Sequence, residues 1–297
     1  MLENVEKLME EFILSLDDRY VKKLFGEISK GKRLRAKLVM KIASNNSNSY
    51  KLAAIIELIH AASLLHDDVI DDATTRRGRD SINALYGDKT AIMLGDILYS
   101  KAFFELSSMS ETIAKTVSNA VVLLSMGELL DVELSKEFNT DKDLYLDMIY
   151  KKTASLIEAT AKSAAALAGK DVEKYALYGK NLGLAFQIID DVLDITQTSE
   201  QLGKPSMHDF KEGKVTLPYL YLYERLNEKD KEVLLGLFKK DLSEDDKIWI
   251  KLKMKETNSL NDSILYAKKL GNEALEVIKD ENPSLSGIIV DMIERDF

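Results

Sequence analysis

Two hundred residues pass before the first proline, Pro205. Proline ends or kinks a helix because it lacks the amide N–H and its ring strikes the preceding turn. A long stretch without it, rich in Leu, Ala, Lys and Glu, reads as helix after helix. With 3 Pro and 14 Gly in 297 residues, chain-breaking residues are scarce throughout. Apolar residues recur at helical spacing: over 51–66 they fall at Leu52, Ile55, Ile56, Leu58, Ile59, Ala62 and Leu65. Similar patterns cover 90–106, 113–134, 144–168 and 172–195. Helices apolar nearly all round belong in a large core. No alternating segment flanked by turn residues is present, so no sheet is expected. The polar run 44–49, the basic run 74–80, 168–171 and 199–213 read as the breaks. Beyond about residue 227 the helices become shorter and more charged. With no composition shift along the chain, the prediction is an all-α fold, one large helical bundle over 1–297.

The net charge of −9 argues against a general nucleic-acid binder, which needs a basic face. The lack of cysteine removes disulfides, thiolate zinc sites and cysteine nucleophiles, and suits a reducing compartment. The charged start of the chain has no apolar signal core, and runs such as Ala120–Leu124 are short. The expectation is a cytoplasmic protein without stable membrane insertion.

Two pentapeptides nearly repeat: Asp67-Asp68-Val69-Ile70-Asp71 and Asp190-Asp191-Val192-Leu193-Asp194. Each follows an apolar run. On a helix the first and last aspartates lie four apart, about 40° round the axis, on one face. Like charges so placed repel, and burying them unpaired is costly, so a cation belongs there. All-oxygen ligands suit a hard cation such as Mg²⁺, which usually completes its shell with water and substrate phosphates. Phosphate-binding candidates follow: Lys32, Arg33 and Arg35; Arg76 and Arg77; Lys151 and Lys152; and Lys204, Lys211 and Lys214. Interleaved with two metal-type motifs, they suggest a diphosphate cage. His60 precedes Asp67 by seven residues, about 20° round the axis, and shares its face. His66 points elsewhere, and His208 falls in a loop.

In order along the chain, the motifs are Gly31-Lys32-Arg33-Leu34-Arg35, Ile59 to His66 leading into Asp67–Asp71, Arg76-Arg77-Gly78, Leu94-Gly95-Asp96, Gly127-Glu128, Lys152-Thr153-Ala154, Gly183 through Phe186-Gln187 into Asp190–Asp194, Gly203-Lys204, and Glu212 to Pro218. Together they resemble the trans-type (head-to-tail) polyprenyl diphosphate synthases, medium- and long-chain members such as octaprenyl synthases included. The resemblance covers roughly 27–225. It implies a helical bundle of the isoprenoid synthase type, with the two acidic helices facing each other across a central cavity. It further implies Mg²⁺, three ions with diphosphate bound, held by Asp67, Asp68 and Asp71 and by Asp190, with Asp191 and Asp194 in support. Arg76, Lys152, Lys204 and Lys214 would contact the allylic diphosphate. Lys32, Arg35, His60 and Arg77 would bind isopentenyl diphosphate. Gln187 would orient the allylic diphosphate, and with Thr153 would flank the developing cation. The catalytic set so implied is Asp67, Asp68, Asp71, Asp190, Lys152 and Gln187.

In such enzymes the growing chain runs from the first acidic motif between helices. Ala62 and Ser63, five and four residues before Asp67, are small where short-chain synthases carry bulky aromatics. The expected product is therefore longer than C20, with octaprenyl (C40) as the leading assignment. Phe103, Phe104 and Leu124 are candidates for the cavity floor. Helices 90–134, apolar all round, suggest burial against a second subunit, and the family resemblance implies a homodimer. Two readings compete with long-chain elongation. One is a short-chain farnesyl or geranylgeranyl synthase. The other is a class I terpene cyclase, which would normally replace the second Asp-rich motif with an Asn/Ser/Glu one.

Overall fold

The computed structural model describes residues 1–44, 46–197 and 206–293, and 78% of the described residues are helical. Backbone contacts gather into two compact units, Met1–Val121 with Ala159–Ala176, and Val122–Glu158 with Leu177–Phe297.

The first unit centres on α4 (Ser47–Ile70), which packs against α1 (Leu2–Leu14), α3 (Leu34–Ala43) and α6 (Asp88–Leu106). Every residue from Leu52 to Ile56, with Leu58 and Ile59, is fully buried. That explains the all-round apolar pattern: neighbours cover α4 on several faces. The helix starts inside the run expected to be a loop. Asn46 caps it, its side chain accepting the Ser49 N–H, so Ser47 to Ser49 are already helical. The unit also holds α2 (Arg19–Glu27) and α5 (Ile82–Tyr86).

The basic run 74–80 is a miniature hairpin rather than an open loop. Thr75–Arg76 pairs antiparallel with Arg79–Asp80, and the two residues at the tip, Arg77 (φ 56°) and Gly78 (φ 73°), are both left-handed. This is the mirror-image two-residue turn that suits the twist of a hairpin. It corrects the expectation of no sheet by one short ladder.

The second unit contains α8 (Lys142–Ile149), α11 (His208–Lys211), α12 (Leu217–Arg225), α13 (Glu228–Leu237), α14 (Glu244–Glu256), α15 (Ser259–Ile278) and α16 (Ser286–Ile293). Three helices contribute residues to both units: α7 (Glu111–Leu134), α9 (Ser155–Leu167) and α10 (Val172–Thr196). The stretch 144–168, expected as one helix, is broken by a π-helical turn at Tyr150–Ala154. His208 opens α11 and bonds Glu212 across one turn, so it is helical rather than in a loop. Phe104 is 69% exposed on α6, which removes it as a cavity floor. By length and composition alone, α7 is also long and apolar enough to cross a membrane, which the short apolar runs of the sequence did not suggest.

Candidate active site

In the first unit the leading acidic motif sits at the C-terminal end of α4. Asp67 and Asp68 lie on its last turn, and Asp71 is the cap, its N–H donating to the Asp67 carbonyl at 2.8 Å. The carbonyl end of a helix is electronegative, so three carboxylates there demand positive charge. Arg76 meets part of that demand. Its Nε and Nη2 reach Asp68 Oδ1 at 2.7 and 2.6 Å, and Asp68 is buried. Asn83 ties down the chain after the motif by donating to the carbonyls of Asp68 and Ala73.

The hairpin carries Arg77 across to the 29–33 segment. Arg77 Nη1 donates to the Ser29 carbonyl at 2.9 Å, while the Ser29 hydroxyl donates to the Arg76 carbonyl at 3.2 Å. The guanidinium lies over Gly31, where a Cβ would come within 2.7 Å of Arg77 Nη1. His60 faces this group. Burial and the charges of Arg35, Arg77, Arg76 and Arg33 hold its imidazole well below the usual range, so it is neutral. Burial also lowers Arg35, with Arg77 adding to the effect and Glu57 opposing it. Lys32 is solvent-exposed. A neutral imidazole amid guanidiniums can bind the oxygens of an anion without adding a cation of its own.

Ala62 and Ser63 are buried, and the Ser63 hydroxyl donates back to the His60 carbonyl at 3.0 Å. Leu124 is buried, and Phe103 is partly buried, stacking on Tyr99. His66 has a packing role: its ring lies over Gly95 and its Nε2 sits 3.2 Å from the Ile92 carbonyl.

In the second unit the π turn carries Lys152 and Thr153. Glycines press on it from two helices. A Cβ at Gly127 of α7 would lie 2.2 Å from the Lys152 amide nitrogen, and one at Gly183 of α10 would lie 2.5 Å from Ala154 Cα. Only at glycine can the backbones come so near. Lys152 Nζ is gripped by Asp131 at 2.5 Å and Glu128 at 2.8 Å, both buried on α7. Thr153 Oγ1 donates to Gln187 Oε1 at 2.8 Å, and Gln187 Nε2 donates to Asp191 Oδ1 at 2.9 Å. The other Asp191 oxygen accepts the Tyr145 hydroxyl at 2.5 Å. Burial, chiefly, and the charge of Asp209 push Asp191 up to about 8, against the pull of Tyr145 and Gln187. Asp191 thus anchors Gln187 from within the protein. Asp194 is buried as well: its Oδ2 accepts the Asp209 N–H and its carbonyl accepts the Met207 N–H. Asp190, between them and the apolar run, is partly exposed.

Lys214 bonds Glu212 at 2.9 Å, and Glu212 also bonds His208 at 2.9 Å. Lys204 lies outside the described residues. Among the described residues, no three Asp, Glu or His groups already converge as a metal site. The donors nevertheless fit Mg²⁺, which is held by one or two carboxylates plus substrate phosphate and water.

The structure adds partners that the sequence did not mark, Glu57, Asp131 and Tyr145, and gives Glu128 of the Gly127-Glu128 motif its partner, Lys152. Glu57 and Asp131 had a readable signal, being carboxylates inside apolar helical runs. Tyr145 had none, because its partner Asp191 is 46 residues away.

A mostly helical protein with an aspartate motif in each unit, a lysine held by two carboxylates and an arginine cluster around a neutral histidine belongs to a class of helical enzymes. The polyprenyl synthetase family model matches residues 18–253, and the chain belongs to that family. A solanesyl-diphosphate synthase of Oryza sativa subsp. japonica is 46% identical over 192 residues, which is 63% of this chain and 45% of that longer protein. This chain thus spans less than half of that relative. A short chain isoprenyl diphosphate synthase of Methanothermobacter thermautotrophicus is 38% identical over 219 residues, 70% of this chain and 67% of that one. The crystal structure of octaprenyl pyrophosphate synthase from Helicobacter pylori superposes with a TM-score of 0.94 at 46% identity, covering 99% of this chain and 98% of that one.

Proposed function

We propose that this protein condenses isopentenyl diphosphate with an allylic diphosphate, farnesyl or geranylgeranyl, to an all-trans polyprenyl diphosphate longer than C20. Octaprenyl diphosphate is the product assigned. The observation that carries this reading is the coexistence of two separate anion-binding arrangements with two aspartate motifs. One arrangement is the Arg35–His60–Arg77 group and the other is Lys152 with Gln187. A cyclase has no need for the first. The 46% identity to an octaprenyl and to a solanesyl synthase supports a long product, against 38% to the short-chain enzyme.

In this reading Asp67, Asp68, Asp71 and Asp190 would hold Mg²⁺, three ions with the allylic diphosphate bound, with Asp191 and Asp194 in support, and the metal would supply positive charge against the leaving diphosphate. Arg76 exchanges some of its contact with Asp68 for the diphosphate. Lys152 does the same from its Glu128–Asp131 grip, with Lys204 and Lys214 as further contacts. These cations stabilise the charge that develops as the C–O bond ionises. Gln187, fixed by Asp191, presents its side-chain carbonyl, with the Thr153 hydroxyl, beside the allylic cation. Lys32, Arg35, Arg77 and neutral His60 hold isopentenyl diphosphate, whose double bond attacks the cation. A proton is then lost to the departing diphosphate. Ala62 and Ser63, small side chains five and four residues before Asp67 on α4, are where the growing chain is proposed to pass.

The protein is further proposed to be a cytoplasmic homodimer. Val122, Met126, Leu129 and Val132 form an exposed apolar stripe on α7, and Met93 and Phe104 are exposed on α6. A second copy of the chain suits such faces. Against membrane insertion, α7 buries Glu128 and Asp131 upon Lys152, as a core helix does. The test of the activity is incorporation of labelled isopentenyl diphosphate into extractable product from farnesyl diphosphate. EDTA and Asp67→Ala are expected to abolish it. Diphosphate release from the allylic substrate alone would instead support a cyclase.

A further inference from the structure

We propose that Glu57 is a positioning residue that sets the isopentenyl diphosphate site before substrate arrives; this rests on the assignment of that site to Lys32, Arg35, His60 and Arg77. Glu57 lies on α4 one turn before His60 and is only 2% exposed. Its carboxylate makes two contacts with the start of α3. Oε1 accepts the Ala36 N–H at 2.9 Å, and Oε2 faces Arg33 Nη1 at 3.4 Å.

The first contact does the work of a helix cap. Arg33 is the N-cap residue of α3, left-handed at φ 53°, and its side chain makes no capping bond. The early amides of a helix need an acceptor, and negative charge is favoured there. Glu57 supplies both from the neighbouring helix. It thereby fixes the turn that carries Arg35 and that Lys32 leads into. The second contact holds Arg33, which Glu6 also binds at 3.0 Å from the outer side. The negative charge of Glu57 also favours the cationic forms of Arg35 and Arg77, against burial, which disfavours them. Arg76 is matched separately by Asp68. One buried carboxylate therefore joins α3 to α4 beneath the anion-binding cations. It keeps guanidiniums that repel one another at a fixed spacing while no diphosphate is present.

A merely structural carboxylate would affect both substrates and stability together. A positioning one acts on isopentenyl diphosphate alone. Glu57→Gln keeps an acceptor for Ala36 but loses the charge and turns an amide toward Arg33. Calorimetric binding of isopentenyl diphosphate, run beside steady-state kinetics and thermal melting, separates the cases. The expected result for Glu57→Gln is a loss of roughly ten- to a hundredfold in isopentenyl diphosphate affinity, with a matching rise in its KM. The KM for farnesyl diphosphate stays within about twofold, and Glu57→Asp restores part of the affinity. Arg33→Gln breaks the same pair from its more accessible partner, and a smaller loss confined to isopentenyl diphosphate is expected. Wild-type protein that binds no isopentenyl diphosphate would remove the site assignment itself. Wild-type protein that binds it, with both Glu57→Gln and Arg33→Gln binding equally well, would overturn the role of Glu57. A parallel rise in both KM values with a lowered melting temperature would overturn it too.

Discussion

Replacing Gly127 by alanine should disable Lys152 while leaving its side chain unaltered. The added Cβ would lie 2.2 Å from the Lys152 amide nitrogen and 2.7 Å from both Lys151 C and Lys152 Cα. Ordinary contact begins at about 3.4 Å, so α7 and the π turn must part by roughly 1.2 Å. Neither side can yield by a rotamer change, because the contact is with backbone. Overpacking of this kind costs about 1–3 kcal/mol of stability. The same shift draws Lys152 Nζ away from Asp131 and Glu128, which grip it from the helix that moves. A displacement near 1 Å at a group that holds the reacting diphosphate costs about a hundredfold in rate, or about 2.7 kcal/mol of barrier. The assay is kcat/KM for the allylic diphosphate, with a thermal melt alongside. The expected result is a loss of about two orders of magnitude, with a folded protein of lowered melting temperature. A Gly127→Ala protein with turnover within twofold of wild type would refute the view that the glycine seats the π turn.

Ser63→Phe should shorten the product, because a phenyl ring at this buried position on α4 obstructs the proposed chain path; products of unchanged length on reversed-phase chromatography would contradict it. Gly31→Ala should push the Arg77 guanidinium off its seat and break its bond to the Ser29 carbonyl. The far end of the side chain can swing aside, so the fold should survive while the isopentenyl diphosphate KM rises about three- to tenfold; an unchanged KM would count against Arg77 as a ligand. Burial alone would raise the Glu212 carboxyl, but His208 and Lys214 outweigh it and bring Glu212 down to about 2. A lowered carboxylate pKa stabilises the fold above the ordinary value of 4.5, and that contribution fades as the pH falls from there toward 2. Urea titrations should show Glu212→Gln costing about 1–2 kcal/mol at pH 7, after allowance for solvent screening, and roughly half of that or less near pH 3. A cost that does not depend on pH would contradict the pairing.

The helices were legible because burial on several faces leaves a periodic apolar record. The segment 172–195 became α10 at Val172–Thr196, and 113–134 became most of α7 at Glu111–Leu134. The acidic motifs were legible for the opposite reason: carboxylates at the end of apolar helices are too costly to stand without a cation. What stayed hidden was set by distant partners. The π turn at Tyr150–Ala154 comes with close approaches by Gly127 and Gly183, neither of them near it in sequence. The hold of Tyr145 on Asp191 spans 46 residues, and that of Arg77 on Ser29 spans 48. Phe104 looked like core by type, yet Lys101 packs over its ring at the surface. The capping of α3 by Glu57 replaces a local cap that Arg33 cannot provide, so nothing at residues 31–36 announces it.

Sizing the product tests the central claim most directly. Purified protein, Mg²⁺, labelled isopentenyl diphosphate and farnesyl diphosphate should give, after dephosphorylation, a ladder of alcohols that extends past C20 and ends near C40. A ladder that stops at C15 to C20 would leave the condensation chemistry in place but contradict the open path beside Ala62 and Ser63, and no ladder at all would contradict the synthase reading.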